Sequence, residues 1–245
     1  MENKETRQNK VIQYQESDYQ SQLRLSTLLS ILSDLATQNA YEIELWNDEL
    51  AKHYGWVLIK QTLKFKKPIY TGETITLSTR AYHSSRVQFT RQYQIEAQDE
   101  VICNGHSVWT LIDLEKRRIA RINRIGLKQP EIKDYPYFLT SYQDIDKTIP
   151  TTLKQTRKVL YSDIDVNQHM NNSRYIEWAF DVIEPDVIKN CFVEEVSMWY
   201  KKEIPPYSDV DIYYGRKDHY VLIIMKNHDS GVECFHIGIT FKEII

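Results

Sequence analysis

The sequence predicts an α+β fold in which one unit, a helix followed by a meander of antiparallel strands, occurs twice in tandem. Each half of the 245-residue chain carries one run of apolar residues at helical spacing and then several runs with strand-like alternation. Two short segments of the first half also recur in the second half. A single unit would leave a sheet edge and one side of its helix uncovered, so we expect the two sheets to join edge to edge.

The first unit begins with an amphipathic helix over residues 23–36. Leucines at helical spacing form its apolar face: Leu25, Leu28, Leu29, Leu32 and Leu35. The helical pattern extends towards His53, and Gly55 is a candidate stop signal. Alternating runs then predict strands over residues 74–81, 87–95 and 101–114.

A change of pattern over residues 115–150 predicts a linker between an N-terminal unit (1–114) and a C-terminal unit (151–245). The segment opens with a basic stretch, and prolines interrupt the rest of it: Pro130, Pro136 and Pro150. Such a composition is typical of a chain segment that crosses between two packed bodies.

The second unit repeats the order of the first. A short strand over residues 158–161 precedes a polar loop, and a second helix follows. Its apolar face comprises Ile176, Ala179, Phe180 and Ile183. The remaining predicted strands cover residues 193–202, 209–216, 220–226 and 234–242.

Two pairs of segments align between the units. Residues 63–69 (LKFKKPI) resemble 198–204 (MWYKKEI), and residues 18–23 (DYQSQL) align with 165–170 (DVNQHM). The aligned residues that differ most are Gln20, Gln22 and Pro68 in the first unit against Asn167, His169 and Glu203 in the second. The second unit alone therefore has an imidazole and a facing carboxylate, which favours acid–base chemistry there and binding or support in the first unit.

The polar loop of the second unit carries the densest group of reactive side chains. Asp165, Asn167 and His169 occupy alternate positions and would converge from one side of an extended loop. The helix start behind them offers free backbone N–H groups that favour negative charge. This combination suits a reaction that develops charge on a carbonyl oxygen. The alternative is a polar loop with an asparagine N-cap, which an isolated N-x-H would favour.

Composition excludes several classes of function. A net charge of −3 gives no reason to expect nucleic-acid binding. No apolar run approaches the roughly 18–20 residues that cross a bilayer, and the N-terminus lacks the apolar core of a secretory signal. Three widely spaced cysteines fit reduced thiols in the cytoplasm. Neither a metal-ligand spacing, nor G-x-S-x-G, nor a glycine-rich phosphate loop occurs, so we expect no metal and no cofactor.

Residues 162–172 (SDIDVNQHMNN), followed by Tyr175, Ile176, Glu177 and Trp178, strongly resemble the active-site segment of fatty acyl-ACP thioesterases, in particular bacterial-type members. Residues 200–203 (YKKE) resemble the second motif of that family. The resemblance covers nearly the whole chain, and it implies the tandem (double) hotdog architecture. It also implies hydrolysis of the thioester between a fatty acyl chain and acyl carrier protein, which would be the partner.

Carried over position by position, the resemblance implies that Asp165, Asn167, His169 and Glu203 are the catalytic residues. The plant members have a cysteine directly after this glutamate, whereas this chain has Ile204. A Cys–His nucleophile is therefore unavailable at that position.

The roles of the four residues follow from their chemistry. Glu203 and His169 are the candidate base system, and Asn167 can donate to the carbonyl or align the water. Asp165 is better suited to fixing the loop or the histidine tautomer than to attack, although which residue is the direct base or nucleophile stays open. The backbone N–H groups of residues 171–173 are candidate oxyanion donors. Alternatively, Glu203 is a solvated acid at a strand end, paired with a neighbouring lysine.

Basic side chains predict how an acidic carrier would be attracted. The candidates for a basic surface are Lys60, Lys64, Lys66, Lys67 and the cluster Arg117–Arg124. Alternatively, these side chains form an ordinary solvated face whose charge is balanced by Glu and Asp residues elsewhere. Two other functions remain open: an acyl-CoA thioesterase with the same chemistry, and a non-catalytic acyl-binding protein. The sequence does not give the preferred chain length or saturation, nor whether the chain forms a homodimer.

The first unit keeps an apolar helix and apolar strands without the catalytic set, which predicts that it binds the acyl tail. A slot of fixed depth discriminates chain length by refusing longer tails. The candidate lining residues are Leu28, Leu32, Leu77 and Trp109.

Overall fold

A computed structural model of the protein describes residues 4–122, 125, 127 and 144–244. The helices are α1 (Leu25–Glu42), α2 (Asp48–Ala51), α3 (Asn172–Asp181) and α4 (Pro185–Ile188). The strands are β1 (Thr6–Val11), β2 (Tyr54–Phe65), β3 (Thr74–Ser84), β4 (Phe89–Ala97), β5 (Glu100–Asp113), β6 (Arg118–Ile119), β7 (Thr152–Lys158), β8 (Cys191–Tyr200), β9 (Asp209–Lys217), β10 (Tyr220–Asn227) and β11 (Glu233–Glu243).

The eleven strands of the described residues belong to one antiparallel sheet with the order β1-β3-β4-β5-β2-β8-β11-β10-β9-β7, and β6 pairs with β5. The first repeat supplies one side of this order and the second repeat the other. The predicted α+β tandem is therefore confirmed, with a long helix and a meander of strands in each repeat.

The two halves of the sheet join through β2 and β8. The antiparallel register at this junction runs from Lys60 opposite Trp199 to Lys64 opposite Glu195. Buried hydroxyl groups of Thr62 and Ser197 form a hydrogen bond across it, with 3.1 Å between their oxygens. Joining at β2 and β8 removes two edges that each repeat would otherwise expose.

The helices α1 and α3 contact each other and pack on the sheet. Leu32 and Leu35 of α1 are almost completely buried, as are Ile176 and Ala179 of α3, and one apolar cluster contains all four. The leucine spacing in the first helix therefore marks a true core face. Within residues 4–122 and 144–244, no helix is long and apolar enough to cross a membrane.

The structure differs from the sequence-based expectation around Gly55. This residue lies inside β2 and does not end the helix, because α1 ends at Glu42 and the short helix α2 follows. The side chain of Asn47 caps α2 by accepting the backbone N–H of Leu50 at 2.9 Å. A single glycine is a weak stop signal, and pairing along β5 outweighs it here.

Other boundaries also shift. The sequence did not predict β1, a mostly exposed strand that pairs with β3 at the end of the sheet. The strand expected over residues 158–161 is β7, which ends at Lys158. Inside the proposed linker, β6 pairs with β5, whereas Pro130 and Pro136 lie outside the described residues.

Candidate active site

The loop that contains Asp165 is a closed turn and not the extended loop that alternate spacing predicted. The N–H of Asp165 donates to the carbonyl of His169 at 2.9 Å, and the N–H of Gln168 donates to the carbonyl of Asp165 at 3.0 Å. Gln168 adopts a left-handed conformation with φ of 64°. The Asp165 carboxylate holds the turn by accepting the N–H of Asn167 at 2.8 Å, a local competition with extended structure that aspartate makes readily.

The first repeat contains the same turn. Asp18 donates its N–H to Gln22 at 2.8 Å, and its carboxylate accepts the N–H groups of Gln20 at 2.8 Å and of Gln22 at 3.0 Å. Ser21 takes the left-handed position with φ of 61°. The alignment of Asp18 with Asp165 is therefore matched bond for bond, which supports the duplication.

His169 and Glu203 lie together. Nε2 of His169 is 3.2 Å from Oε2 of Glu203, and their side chains remain 25% and 38% exposed, so water reaches both. His169 comes from the turn, and Glu203 follows the end of β8. A carboxylate accepts hydrogen bonds and a ring N–H donates them, so a hydrogen bond at this contact has Nε2 as its donor, and Nδ1 of a neutral ring is then an acceptor. This pair can take a proton from a water molecule.

Arg117 also contacts Glu203, with 3.2 Å between its Nη2 and Oε2 of Glu203. The sequence places Arg117 in a basic stretch and gives no sign of this contact, because Arg117 and Glu203 are far apart in the chain. Both side chains are substantially exposed, so the ion pair adds little stability. Its effect is to orient the carboxylate between a guanidinium and an imidazole.

Asp165 contacts groups within its own turn. Its Oδ2 accepts the side-chain amide of Asn167 at 3.3 Å, and its Oδ1 lies 3.5 Å from the N–H of His169. This arrangement supports a positioning role for Asp165. Asn167 is exposed and donates its side-chain amide to the same carboxylate, which anchors this amide to the turn that carries His169.

Aromatic side chains brace the segment that carries Glu203. The hydroxyl of Tyr175 on α3 accepts the backbone N–H of Ile204 at 3.3 Å. The hydroxyl of Tyr200 donates to the carbonyl of Asn172 at 3.3 Å. Burial raises the pKa of both phenols, so they stay neutral. Tyr175 lies in the first motif of the sequence, but only the fold reveals its contact.

The start of α3 offers fewer free donors than expected. The N–H of Asn171 donates to the carbonyl of Asp163 at 2.8 Å, and the N–H of Ser173 donates to the side chain of Asn171 at 2.9 Å. Of the three candidate oxyanion donors, two are therefore engaged. Asn171 is also the N-cap of the helix, as the alternative interpretation of the loop required.

The three cysteines are free and buried. Burial raises the pKa of each thiol, so none is a ready nucleophile at neutral pH. Ile204 is completely buried at the position where the plant enzymes are expected to have a cysteine.

The side chains of the first copy of the turn form hydrogen bonds with the backbone of the second repeat. The side chain of Gln20 donates to the carbonyl of Ile188 at 3.1 Å and accepts the N–H of Asn190 at 2.8 Å. The side chain of Gln22 donates to the carbonyl of Cys191 at 2.8 Å. The same turn thus fastens the second repeat in one copy and leaves reactive groups accessible in the other.

A narrow cavity of about 90 Å³ lies within the first repeat. Its lining comprises Ala36, Thr37, Ala40, Leu45, Trp46, Trp56, Ala81, Phe89, Thr90, Arg91 and Trp109. Because Lys60 is opposite Trp199 in antiparallel strands, the chain after β8 that carries Glu203 runs towards Trp56. Leu32 and Leu77 are fully buried core residues outside this lining, whereas Trp109 belongs to it.

Two family models match the chain. The acyl-ACP thioesterase N-terminal domain matches residues 3–125, and the acyl-ACP thioesterase C-terminal domain matches residues 146–243. Together they span both repeats.

Similar proteins include a chloroplastic acyl-[acyl-carrier-protein] hydrolase of Cuphea viscosissima, 24% identical over 80% of this chain and 52% of that protein. A chloroplastic palmitoyl-acyl carrier protein thioesterase of Cuphea hookeriana is 26% identical over 60% of this chain and 38% of that protein. The chain thus spans about half the length, or less, of these curated relatives.

Solved structures share the whole fold. An acyl-ACP thioesterase from Bacteroides thetaiotaomicron superposes with a TM-score of 0.84 at 21% identity, covering 97% of this chain and 98% of that one. The 12:0-ACP thioesterase from Umbellularia californica superposes with a TM-score of 0.79 at 16% identity, covering 98% of each chain. With a double hotdog fold and both family domains in order, the chain belongs to the acyl-ACP thioesterase family.

Proposed function

We propose that this protein hydrolyses the thioester of fatty acyl-acyl carrier protein and releases a free fatty acid. The observation that carries the proposal is the 3.2 Å contact between His169 and Glu203, in the one copy of the turn whose side chains remain accessible. Membership of the acyl-ACP thioesterase family supports the same reaction class.

The proposed reaction is a direct attack by water. The pair formed by His169 and Glu203 takes a proton from water, and the water oxygen bonds to the carbonyl carbon. The N–H of Asn172 at the start of α3 and the amide of Asn167 are the proposed donors to the oxyanion. Collapse of the tetrahedral intermediate breaks the C–S bond, and the pantetheine thiolate leaves and takes up a proton.

Release of thiol from acyl-acyl carrier protein, followed with a colorimetric thiol reagent, tests this proposal. We expect steady turnover without added metal or cofactor. A folded protein that releases no thiol from acyl-carrier or acyl-CoA substrates would be an acyl-binding protein instead.

Arg117, which contacts Glu203, and the exposed arginines that follow it in the chain are the proposed docking site for the acidic carrier. Arg118 and Arg121 are exposed in the same stretch as Arg117, whereas Arg124 lies outside the described residues. The lysine group is less available than the sequence indicated, because Lys64 lies 3.2 Å from Glu195 and Lys67 lies 3.6 Å from Glu100. Among the described residues, Arg118 and Arg121 have no carboxylate partner, so their charge is less compensated than that of Lys64 and Lys67.

Carrier preference should depend on salt. We expect kcat/KM for acyl-acyl carrier protein to exceed that for acyl-CoA and to fall as ionic strength rises, since exposed charges are screened over about 8–10 Å at physiological salt. Exchange of Arg118 and Arg121 for glutamate should raise KM for the carrier substrate and leave hydrolysis of acyl-pantetheine unchanged. Equal activity on both carriers without salt dependence would favour an acyl-CoA thioesterase.

Chain-length preference should depend on the narrow cavity of the first repeat. Trp109→Ala enlarges this cavity. We expect the preferred acyl chain to become longer, because each additional buried methylene contributes about 0.8 kcal/mol to binding. The shift in chain-length preference should be larger than the change in kcat on the best substrate. Profiling hydrolysis across a panel of acyl lengths measures this shift. An unchanged profile in folded Trp109 variants, together with an altered one in Phe180 variants, would place the tail in the second repeat.

We also infer that the division of labour follows the repeats, with residues 1–114 binding the tail, 115–150 linking and 151–245 carrying the catalytic set. The three free thiols support a reducing compartment, and hence the cytoplasm.

A further inference from the structure

A cavity of about 580 Å³ lies at the inactive copy of the turn. It is formed by the Asp18–Gln22 turn, the start of α1, one face of α3 and the start of β8. A volume of this size falls within the roughly 300–1,000 Å³ that is typical of small-molecule sites.

The cavity occupies the position in the first repeat that the catalytic site occupies in the second. Its wall includes Phe65, Pro68 and Ile69, which align with Tyr200, Glu203 and Ile204. Its rim includes Asp18, Gln20 and Gln22, which hold the closed turn described above. The cavity therefore lies beside the inactive counterparts of the catalytic residues.

This copy has no means of activating water. The side chains of Gln20 and Gln22 are bonded to the backbone of the second repeat, and Pro68 replaces the glutamate. Apolar side chains line the space instead, among them Leu28, Phe65, Ile176, Phe180, Val193 and Phe241. A ligand with a long apolar chain would be held there and not cleaved.

The acidic side chains at the cavity already have hydrogen-bond or ion-pair partners, whereas the Arg24 guanidinium remains available to an anionic ligand. Asp18 is occupied by its own turn, Glu177 forms an ion pair with Arg174, and Asp181 lies 2.7 Å from Arg157. Arg24, at the N-cap of α1, forms no ion pair with any described residue, and its guanidinium donates a hydrogen bond to the carbonyl of Gln15 at 3.0 Å. The helix itself has no side-chain cap at this end, which adds to the positive potential.

We propose that this cavity binds a free straight-chain fatty acid, with its carboxylate at Arg24 and its tail between α1, α3 and the start of β8. The chemistry of the lining requires only an anionic head and an apolar chain. The inference rests on the proposed function in one respect, because hydrolysis would supply this ligand as product. Such a ligand bridges both repeats and raises the melting temperature.

Binding is tested without turnover, in the Glu203→Gln protein. Fatty acids of graded length are titrated by calorimetry below their micelle concentrations, and a diazirine-bearing fatty acid maps the labelled peptides. We expect label on peptides containing residues 24–28 and 176–193. Arg24→Glu should weaken binding at this site at least about tenfold, the usual weight of a charged hydrogen bond. The fatty alcohol of the same chain length, which lacks the carboxylate, should bind the Glu203→Gln protein about as weakly as the fatty acid binds the Arg24→Glu variant.

Two further variants keep the test sharp. Val193→Phe fills the cavity from a partly buried position and should abolish labelling there. Arg86→Glu makes the same charge change at an exposed residue outside the cavity and should leave affinity unchanged. Label confined to the Trp46–Trp56 region, or equal loss in Arg86→Glu and Arg24→Glu, would overturn the inference. Binding here without thiol release from acyl-carrier substrate would overturn the proposed function alone.

Discussion

Replacing His169 with alanine should lower kcat by about 10²-fold or more, the usual contribution of a positioned acid–base group. The imidazole lies 3.2 Å from Glu203, and its removal leaves this carboxylate without its imidazole partner. The fold should survive, because the turn is held by the Asp165 carboxylate and backbone bonds and not by the imidazole. Single-turnover thiol release measures the chemical step.

His228→Ala is a matched control for this experiment. His228 is exposed and belongs to the same repeat, and its side chain lies 2.9 Å from Asp211, a residue that is not assigned to the reaction. Its removal should leave kcat unchanged. Turnover like that of the unaltered protein in folded His169→Ala would remove His169 from the mechanism.

Replacing Glu203 with glutamine should also lower kcat by roughly 10²-fold or more while KM changes little. Glutamine keeps the shape and can still accept a hydrogen bond from Arg117, but it cannot take up a proton. Rates and KM on acyl-acyl carrier protein separate the loss of chemistry from a loss of binding.

Pro68→Ala, at the aligned position of the first repeat, is the control for Glu203→Gln. It should fold and keep its kcat, since nothing at that copy activates water. If Glu203→Gln retains full kcat instead, the base is His169 or Asp165 acting alone.

The parts of the fold that follow local pattern were predictable from sequence. Leucine spacing located α1, alternation located β9, β10 and β11, and the pairing of Asp18 with Asp165 located the duplicated turn. The pattern could not give the closed shape of the turn, because alternate spacing describes an extended chain and an aspartate carboxylate overrides it.

Contacts between residues that are distant in the chain could not be predicted from the sequence. Arg117 meets Glu203, and Gln20 and Gln22 bond to backbone near β8, through pairings of residues that are distant in the chain. A single sequence shows which side chains are polar, but it does not show which distant backbone groups form hydrogen bonds with them. Local signals failed at Gly55 for a related reason, since its pairing partner lies on β5.

The junction between β2 and β8 has a consequence for how the chain acquires its structure. The paired residues of β2 and β8 are far apart in the chain, so their pairing closes a long loop. The conformational entropy of this loop is lost before the contacts of the junction stabilise the protein. We therefore expect slow refolding, with the junction forming late. Neither repeat should be recoverable as a separate fragment, because each would present a long unpaired strand to its neighbours in solution and aggregate.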